Sequence, residues 1–92
     1  MKYRIKLAPN AKLHLLQWKR TGSVSVLHKL AKLFSELEEH PMTGTGKPER
    51  LCGNLQGYWS RRITKADRLV YRIDGDAVIV VVVSAKSHYS EK

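Results

Sequence analysis

One stretch of the chain limits the choice of fold more than any other. Residues 78–83 read VIVVVV, so a strand there is apolar on both faces. That pattern is typical of a strand with neighbours on both sides and not of a sheet edge. The preceding Asp74-Gly75-Asp76 predicts a tight hairpin turn. We therefore expect residues 77–84 to form an interior strand, paired with the strand that precedes the turn.

The amino-terminal half predicts one strand and two helices. Residues 3–7 alternate with a period of two, as a half-buried strand does. Pro9 suits the first turn of a helix that reaches about Arg20. Ser23 suits the N-cap of a second helix, which Pro41 stops. Apolar residues recur in that second helix at three- and four-residue spacings, at Leu27, Leu30, Phe34 and Leu37, so we expect it to bury one apolar face.

The carboxyl-terminal half predicts a sheet. Residues 43–48 read as a loop, and short strands are predicted at 50–52, 58–63, 68–73 and 77–84. The order β-α-α-β-β-β-β predicts an α+β fold in which a two-helix hairpin packs on one side of a mainly antiparallel, twisted sheet. At 92 residues, the chain is expected to form a single domain over residues 1–92.

The charge of the chain narrows its function. Seventeen Lys and Arg against eight Asp and Glu give a net charge of +9 at pH 7. Such an excess attracts polyanions: nucleic acid, an anionic membrane surface or an acidic protein. The sequence shows neither a signal peptide nor a run of ~20 apolar residues that could span a membrane. Cys52 is the only cysteine, and no Cys/His metal spacing is present. We expect a cytoplasmic protein that binds no membrane, metal or cofactor.

Basic and aromatic residues interleave from residue 46 to residue 72. Alternation places Tyr58, Ser60 and Arg62 on one face of a strand, and Trp59 and Arg61 on the other. A sheet with arginine beside an aromatic ring can bind phosphates and stack single-stranded bases. Aromatics in the core beside a solvated arginine face fit the same pattern. The basic residues of this segment are Lys47, Arg50, Arg61, Arg62, Lys65, Arg68 and Arg72.

Four short motifs carry a family resemblance. Residues 46–49 read GKPE, 54–64 read NLQGYWSRRIT, 68–71 read RLVY and 87–89 read SHY. In order and spacing they resemble the YoeB toxins of the RelE/YoeB group, whereas the first half resembles them only in its pattern of elements. The resemblance implies a ribosome-dependent endoribonuclease that enters the A site and cleaves mRNA. It also implies an acidic YefM-like antitoxin as partner; whether the free chain forms a homodimer stays open.

The resemblance also implies roles for individual residues. Glu49 matches the family's general base, and His88 its general acid. Arg68 matches the phosphate-binding arginine, Tyr89 the neighbouring tyrosine, and Arg62 a further basic residue of the active site. Additional candidates for phosphate contacts are Lys47, Arg50 and Arg61.

The chemistry of RNA cleavage agrees with these residue types. RNA supplies its own nucleophile, the 2′-hydroxyl, so the protein needs a base, an acid and cations near the phosphate. Glu49 and His88 suit the two proton transfers, each worth ~10²–10⁴-fold, although the reversed assignment, with His88 as base, stays open. Arg62 and Arg68 suit the developing negative charge. If both serve one phosphate, they must share a face of their hairpin.

The sequence departs from the family pattern at two places, and two alternative functions stay open. Cys52 stands where well-known members carry a basic residue, so Arg50 is the candidate to supply that contact. Residues 90–92 extend beyond the final tyrosine. A ParE-like toxin of the same fold, which inhibits a protein target without cutting RNA, is the first rival. A non-catalytic RNA-binding module is the second.

Overall fold

The computed structural model describes residues 2–21, 23–53 and 56–84, with only the backbone of Ser84. Neither described helix is long and apolar enough to cross a membrane. The order of elements confirms the predicted α+β arrangement. They are β1 (Arg4–Leu7), α1 (Pro9–Thr21), α2 (Val24–Glu39), β2 (Glu49–Arg50), β3 (Tyr58–Arg62), β4 (Arg68–Asp74) and β5 (Ala77–Ser84).

The five strands form one sheet in the order β1-β5-β4-β3-β2. β1 runs parallel to β5, and the other three pairs are antiparallel. The strand β5 therefore has a neighbouring strand on each side, as predicted from a sequence that is apolar on both faces. The turn at Asp74-Gly75-Asp76 joins β4 to β5, because Asp74 pairs with Ala77.

A bulge in β5 resets the side-chain alternation. Val70 pairs with Val82 but Tyr71 pairs with Val80, so Val81 is an extra residue in β5. Without the bulge, Val80 and Val83 would point to opposite faces of the sheet. With it, both belong to the same fully buried cluster on the helix side. The uniform valine run contains no sign of where this bulge falls.

The core lies between the helices and one face of the sheet. Ala11 of α1 and Leu33 of α2 are fully buried there against Tyr71 and Val80. Leu30 and Leu37 of the predicted apolar stripe are buried in this core, and so is Leu33, which the predicted stripe did not include. Burying a leucine side chain contributes about 1.5–3 kcal/mol, so this stripe is a main source of the stability of α2.

Two local details differ from the predictions. Ser23 precedes α2 in an extended conformation, but its side chain makes no capping hydrogen bond. The predicted strand 50–52 is instead the two-residue β2, which begins one residue earlier, at Glu49. After it, the Leu51 amide donates to the Tyr58 carbonyl at 2.8 Å. The shift matters because it gives Glu49 a defined register in the sheet.

The end of β5 is fixed by side chains of α1. The Trp18 indole N–H donates to the Val83 carbonyl at 2.8 Å, and the Val83 amide donates to His14 Nδ1 at 3.1 Å. Both polar groups of a buried residue are thus satisfied from the helix. These contacts hold the last part of β5, immediately before residue 85.

Candidate active site

The antiparallel register gathers the predicted site residues on one face of the sheet. Glu49 pairs with Ser60, and Arg62 pairs with Arg68. Paired residues share a face, as do alternate residues of one strand. We call this surface, which faces away from the helices, the open face; it carries Glu49, Tyr58, Ser60, Arg62 and Arg68. The expectation that Arg62 and Arg68 share a face of their hairpin is confirmed.

A carboxylate and a guanidinium meet at the centre of this group. Glu49 Oε1 lies 3.9 Å from Arg68 Nη1, and the two side chains are 60% and 37% exposed. Because both side chains are exposed, both groups are accessible to a ligand. A pair this exposed contributes only about 0–1 kcal/mol to stability. Arg62 is exposed at the position directly opposite Arg68. Like charges at paired positions disfavour sheet pairing, which makes the two arginines a suitable site for an anion.

A cavity of about 400 Å³ adjoins this group on the open face. Its floor is apolar, and Tyr58 forms part of its wall. Val70 pairs with Ser60, two residues along the strands from the Arg62–Arg68 pair, so the floor begins about 7 Å from the arginines. An aromatic wall and an apolar floor beside two cations match the parts of a nucleotide. The lining residues are Ala8, Pro9, Asn10, Tyr58, Val70, Val81 and Val82.

Two further predicted residues lie close in sequence but not in the same group. Lys47 is exposed in the loop before Glu49, with φ of 51° in the left-handed region. Arg50 follows Glu49 and therefore points to the opposite face. Its guanidinium carbon lies 5.8 Å from the centroid of the Trp59 ring, a cation–π contact. The structure does not bring Arg50 together with Glu49 and Arg68.

The prediction that Arg61 binds phosphate is wrong. Its side chain is 0% exposed and pairs with Glu36 at 2.9 Å, on the helix side of the sheet. All of its guanidinium nitrogens donate to acceptors within the chain, so none is available to RNA. Strand alternation, which placed Arg61 on the same face as Trp59, was the signal that separated it from Arg62.

Sequence reasoning missed the polar cluster around Arg61. Burial alone raises the pKa of the Glu36 carboxyl, but hydrogen bonds from the Thr45 hydroxyl and amide, together with the Arg61 charge, outweigh it and lower the pKa. Burial raises the pKa of Tyr71, against the opposing effect of Arg61. The cluster therefore holds an ionised carboxylate, a guanidinium and a neutral phenol near pH 7.

His88 and Tyr89 lie outside the described residues, so their predicted roles are untested. The last described residue, Ser84, pairs with Arg68. Within the described ranges, no group of three or more His, Cys, Asp or Glu side chains has a geometry suited to a metal ion.

Comparison with known proteins relates the chain to one family. A model of the YoeB-like toxin of bacterial type II toxin–antitoxin systems matches residues 10–89. Toxin YoeB of Mycobacterium bovis is 46% identical over 61 residues, which are 66% of this chain and 69% of the relative. Toxin YoeB of Escherichia coli K12 is 38% identical over 74 residues, or 80% and 84% of the two chains.

Solved structures agree with this relation. The YoeB/ParE toxin from Agrobacterium tumefaciens is 32% identical, with a TM-score of 0.81 over 88% of this chain and 95% of that one. YoeB from Staphylococcus aureus, solved as a dimer, is 29% identical, with a TM-score of 0.78 over 97% and 100%. The same S. aureus protein was also solved in complex with YefM.

Proposed function

The chain belongs to the YoeB family of toxins of bacterial type II toxin–antitoxin systems, and from this we propose that it is a ribosome-dependent mRNA endoribonuclease. It binds mRNA in the ribosomal A site and blocks translation by cutting it. The observation that carries the proposal is the accessible Glu49–Arg68 pair, with Arg62 opposite Arg68 on the open face. A base and two phosphate-binding cations are the groups that this cleavage requires on one surface.

The proposed reaction uses the 2′-hydroxyl of the RNA. The Glu49 carboxylate takes the 2′ proton, the 2′ oxygen attacks phosphorus, and the P–O5′ bond breaks. His88 gives a proton to the departing 5′ oxygen, leaving a 2′,3′-cyclic phosphate and a 5′-hydroxyl. Arg62 and Arg68 stabilise the extra charge on the phosphoryl oxygens as the bond forms, and Tyr89 assists beside His88. Because the nucleophile comes from RNA, the reaction needs no metal or cofactor.

Charge and shape support RNA as the substrate. The +9 net charge attracts the RNA backbone over a distance. The cavity beside the arginines has an aromatic wall, Tyr58, of the kind on which single-stranded bases stack. Lys47 adds an exposed cation in the loop before Glu49, and a cytoplasmic location follows from action on ribosomes.

We propose an acidic, YefM-like antitoxin as the neutralising partner. Its disordered acidic segment folds over the basic open face and blocks the Glu49–Arg68 pair. We also propose that the free chain can form a homodimer, since the S. aureus relative was solved as a dimer. Native co-purification tests the partner: an acidic protein bound at the open face is expected, and a basic partner contradicts the proposal.

Mapping new 5′ ends on programmed ribosomes tests the activity. Wild-type protein should cut mRNA with EDTA present, provided that ribosome integrity is maintained. Glu49→Gln and His88→Ala should each lose at least ~10²-fold in rate with nearly unchanged ribosome binding. A chain ending at residue 89 serves as the control and should retain most activity, because residues 90–92 contain no apolar anchor.

The alternatives give different results in the same assay. A substrate with 2′-deoxyribose at the scissile position should resist, and normal cutting of it contradicts the 2′-hydroxyl mechanism. Ribosome binding without any cleavage indicates a non-catalytic RNA-binding module. Growth inhibition without ribosome binding indicates a ParE-like toxin that acts on a protein target.

A further inference from the structure

The loop that leads to Glu49 is held by a buried arginine. Residues 40–48 connect α2 to β2, and we call them the 40–48 loop. Arg61 Nη2 donates to the carbonyls of His40 and Thr43, the second at 2.6 Å, and Nη1 donates to the Thr45 carbonyl at 3.4 Å. One side chain thus binds three successive parts of the loop backbone.

Two neighbours of Arg61 bind the same loop. Glu36 accepts the Arg61 Nη1–H at 2.9 Å, the Thr45 amide at 2.7 Å and the Thr45 hydroxyl at 2.6 Å. The Tyr71 hydroxyl accepts from Arg61 Nε at 3.1 Å and donates to the Pro41 carbonyl at 2.6 Å. The loop is therefore anchored from α2, β3 and β4 together.

The anchored loop runs directly into the candidate base. The Gly46 carbonyl accepts the Arg62 amide at 2.7 Å, and Glu49 follows three residues later. β2 itself has only two residues, both exposed, so its own packing does little to fix Glu49. The loop is the segment that leads into Glu49, which pairs with Ser60 and lies 3.9 Å from Arg68.

Stability alone is a poor explanation for a buried arginine. Replacing a buried ion pair by apolar residues of similar size is often neutral or stabilising, because desolvation offsets the attraction. A planar guanidinium with five N–H donors, however, binds several carbonyls in a fixed geometry, which lysine cannot reproduce. The arrangement is suited to fixing the shape of a loop.

We propose that Arg61 is a positioning residue, which sets Glu49 relative to Arg62 and Arg68 by holding the 40–48 loop from the opposite side of the sheet. The proposal rests on the proposed function in one respect, that Glu49 is the base. Arg61 itself does not touch the RNA, because the sheet lies between its side chain and the open face.

The first test measures single-turnover cleavage on ribosomes. Arg61→Met and Tyr71→Phe should lower the cleavage rate, by about 10–100-fold for Arg61→Met and less for Tyr71→Phe, since a misplaced group costs up to ~10²-fold. Ribosome affinity should stay within about two-fold of wild type. Arg61→Lys should recover part of the loss, because it restores the charge and some donors. Tyr71→Phe removes only one hydroxyl, so it reports on the loop if Arg61→Met does not fold.

A matched control separates positioning from loss of stability. Leu30→Ala removes a buried side chain of α2 that lies outside the Arg61 cluster. It should lower the melting temperature at least as much as Tyr71→Phe, yet leave the cleavage rate within about two-fold of wild type when measured well below that temperature. Equal losses of cleavage rate in Leu30→Ala and Tyr71→Phe overturn the proposal. It is also overturned if Tyr71→Phe and Arg61→Met lose only ribosome affinity and keep the wild-type cleavage rate.

Amide hydrogen exchange in the free protein supplies a readout that needs no cleavage. The Arg62 amide reports on the Gly46 contact, and the Leu51 amide reports on the pairing of the segment after Glu49 with Tyr58. In Tyr71→Phe and Arg61→Met both should exchange at least about ten-fold faster than any change in global stability explains, with the amides of β5 reporting that global change. Unchanged exchange at both amides overturns the proposal. Absence of cleavage by the wild type instead refutes the proposed function and leaves the exchange result to decide the role of Arg61 in the loop.

Discussion

Neighbouring arginines of β3 have opposite surroundings, because successive strand residues point to opposite faces of the sheet. Arg61 is wholly buried and paired with Glu36, whereas Arg62 is exposed opposite Arg68. Arg61 binds carbonyl groups of the 40–48 loop, whereas Arg62 is available to an anion. An exposed arginine makes a modest contribution to stability, but a buried one that loses its partner costs about 3–5 kcal/mol. The two positions should therefore respond very differently to substitution.

Glu36 should make the stability of the protein depend on pH. Burial opposes its ionisation, but the Thr45 hydrogen bonds and Arg61 outweigh burial and lower the pKa in the folded state below its ordinary value. Its stabilising contribution is thus complete above the unfolded pKa and is lost as pH falls through the folded pKa. Urea unfolding should show wild type losing stability below about pH 5, with a shallower dependence in Glu36→Gln.

An exposed carboxylate on the same helix provides the comparison for this measurement. Glu39 is 56% exposed, and Glu39→Gln should keep the wild-type slope against pH. At neutral pH, Glu36→Gln should be the less stable of the two, because it leaves the buried Arg61 charge without its carboxylate. A Glu36→Gln variant with wild-type stability at every pH contradicts the role given to this pair.

At the scale of elements, the 40–48 loop packs on β3 so closely that one position requires glycine. Gly46 has φ of +85°, and a Cβ there would lie 2.9 Å from the Arg62 carbonyl oxygen. Gly57 has a similar φ of +94°, but a Cβ there would meet no atom of the described residues within 4 Å. Both alanine variants bear the left-handed backbone cost of roughly 1 kcal/mol. Only Gly46→Ala adds a clash with backbone.

Thermal unfolding of the two variants should separate these costs. Gly46→Ala should melt several degrees below Gly57→Ala, since each kcal/mol shifts the melting temperature by about 4–8 °C in a domain of this size. The Arg62 amide, which donates to the Gly46 carbonyl, should also exchange faster in Gly46→Ala alone. Equal melting temperatures for the two variants would show that the loop moves away from β3 at little cost.

The elements that follow local patterns were predictable, and those that depend on distant partners were not. Alternation, turn residues and the apolar stripe of α2 predicted the order of elements and the interior place of β5, and the motifs placed Glu49, Arg62 and Arg68 on one surface. The bulge at Val81 was invisible because every neighbour is also apolar. The burial of Arg61 depends on Glu36 and Tyr71, which lie 25 and 10 residues away along the chain. No local pattern reports such a contact.

At the scale of the whole molecule, the position of a positive charge matters more than the total of +9. Arg62 and Arg68 lie on β3 and β4, towards one side of the sheet, whereas β1 is the opposite edge. Arg4 of β1 pairs with Ala77, whereas Arg68 pairs with Ser84, seven residues further along β5 and thus about 20 Å away along the strand. This exceeds the Debye length of ~10 Å at 0.1 M salt, so the charge of Arg4 and the charges of Arg62 and Arg68 act on a bound strand nearly independently.

Salt dependence of RNA binding should distinguish these positions. With a single-stranded 2′-O-methyl RNA, which cannot be cleaved by the proposed route, log affinity should fall linearly with log salt, by a slope of about 0.7 per neutralised phosphate. Arg62→Gln and Arg68→Gln should each reduce the slope by about that amount. Arg4→Gln removes the same formal charge from β1, where Arg4 pairs with Asp76 at 3.1 Å, and should leave the slope unchanged. Fluorescence anisotropy at about 50 to 200 mM salt measures all four proteins. Equal reductions of the slope in all three variants would mean that RNA binding depends only on the net charge of the protein. The assignment of the open face as the binding surface would then be wrong.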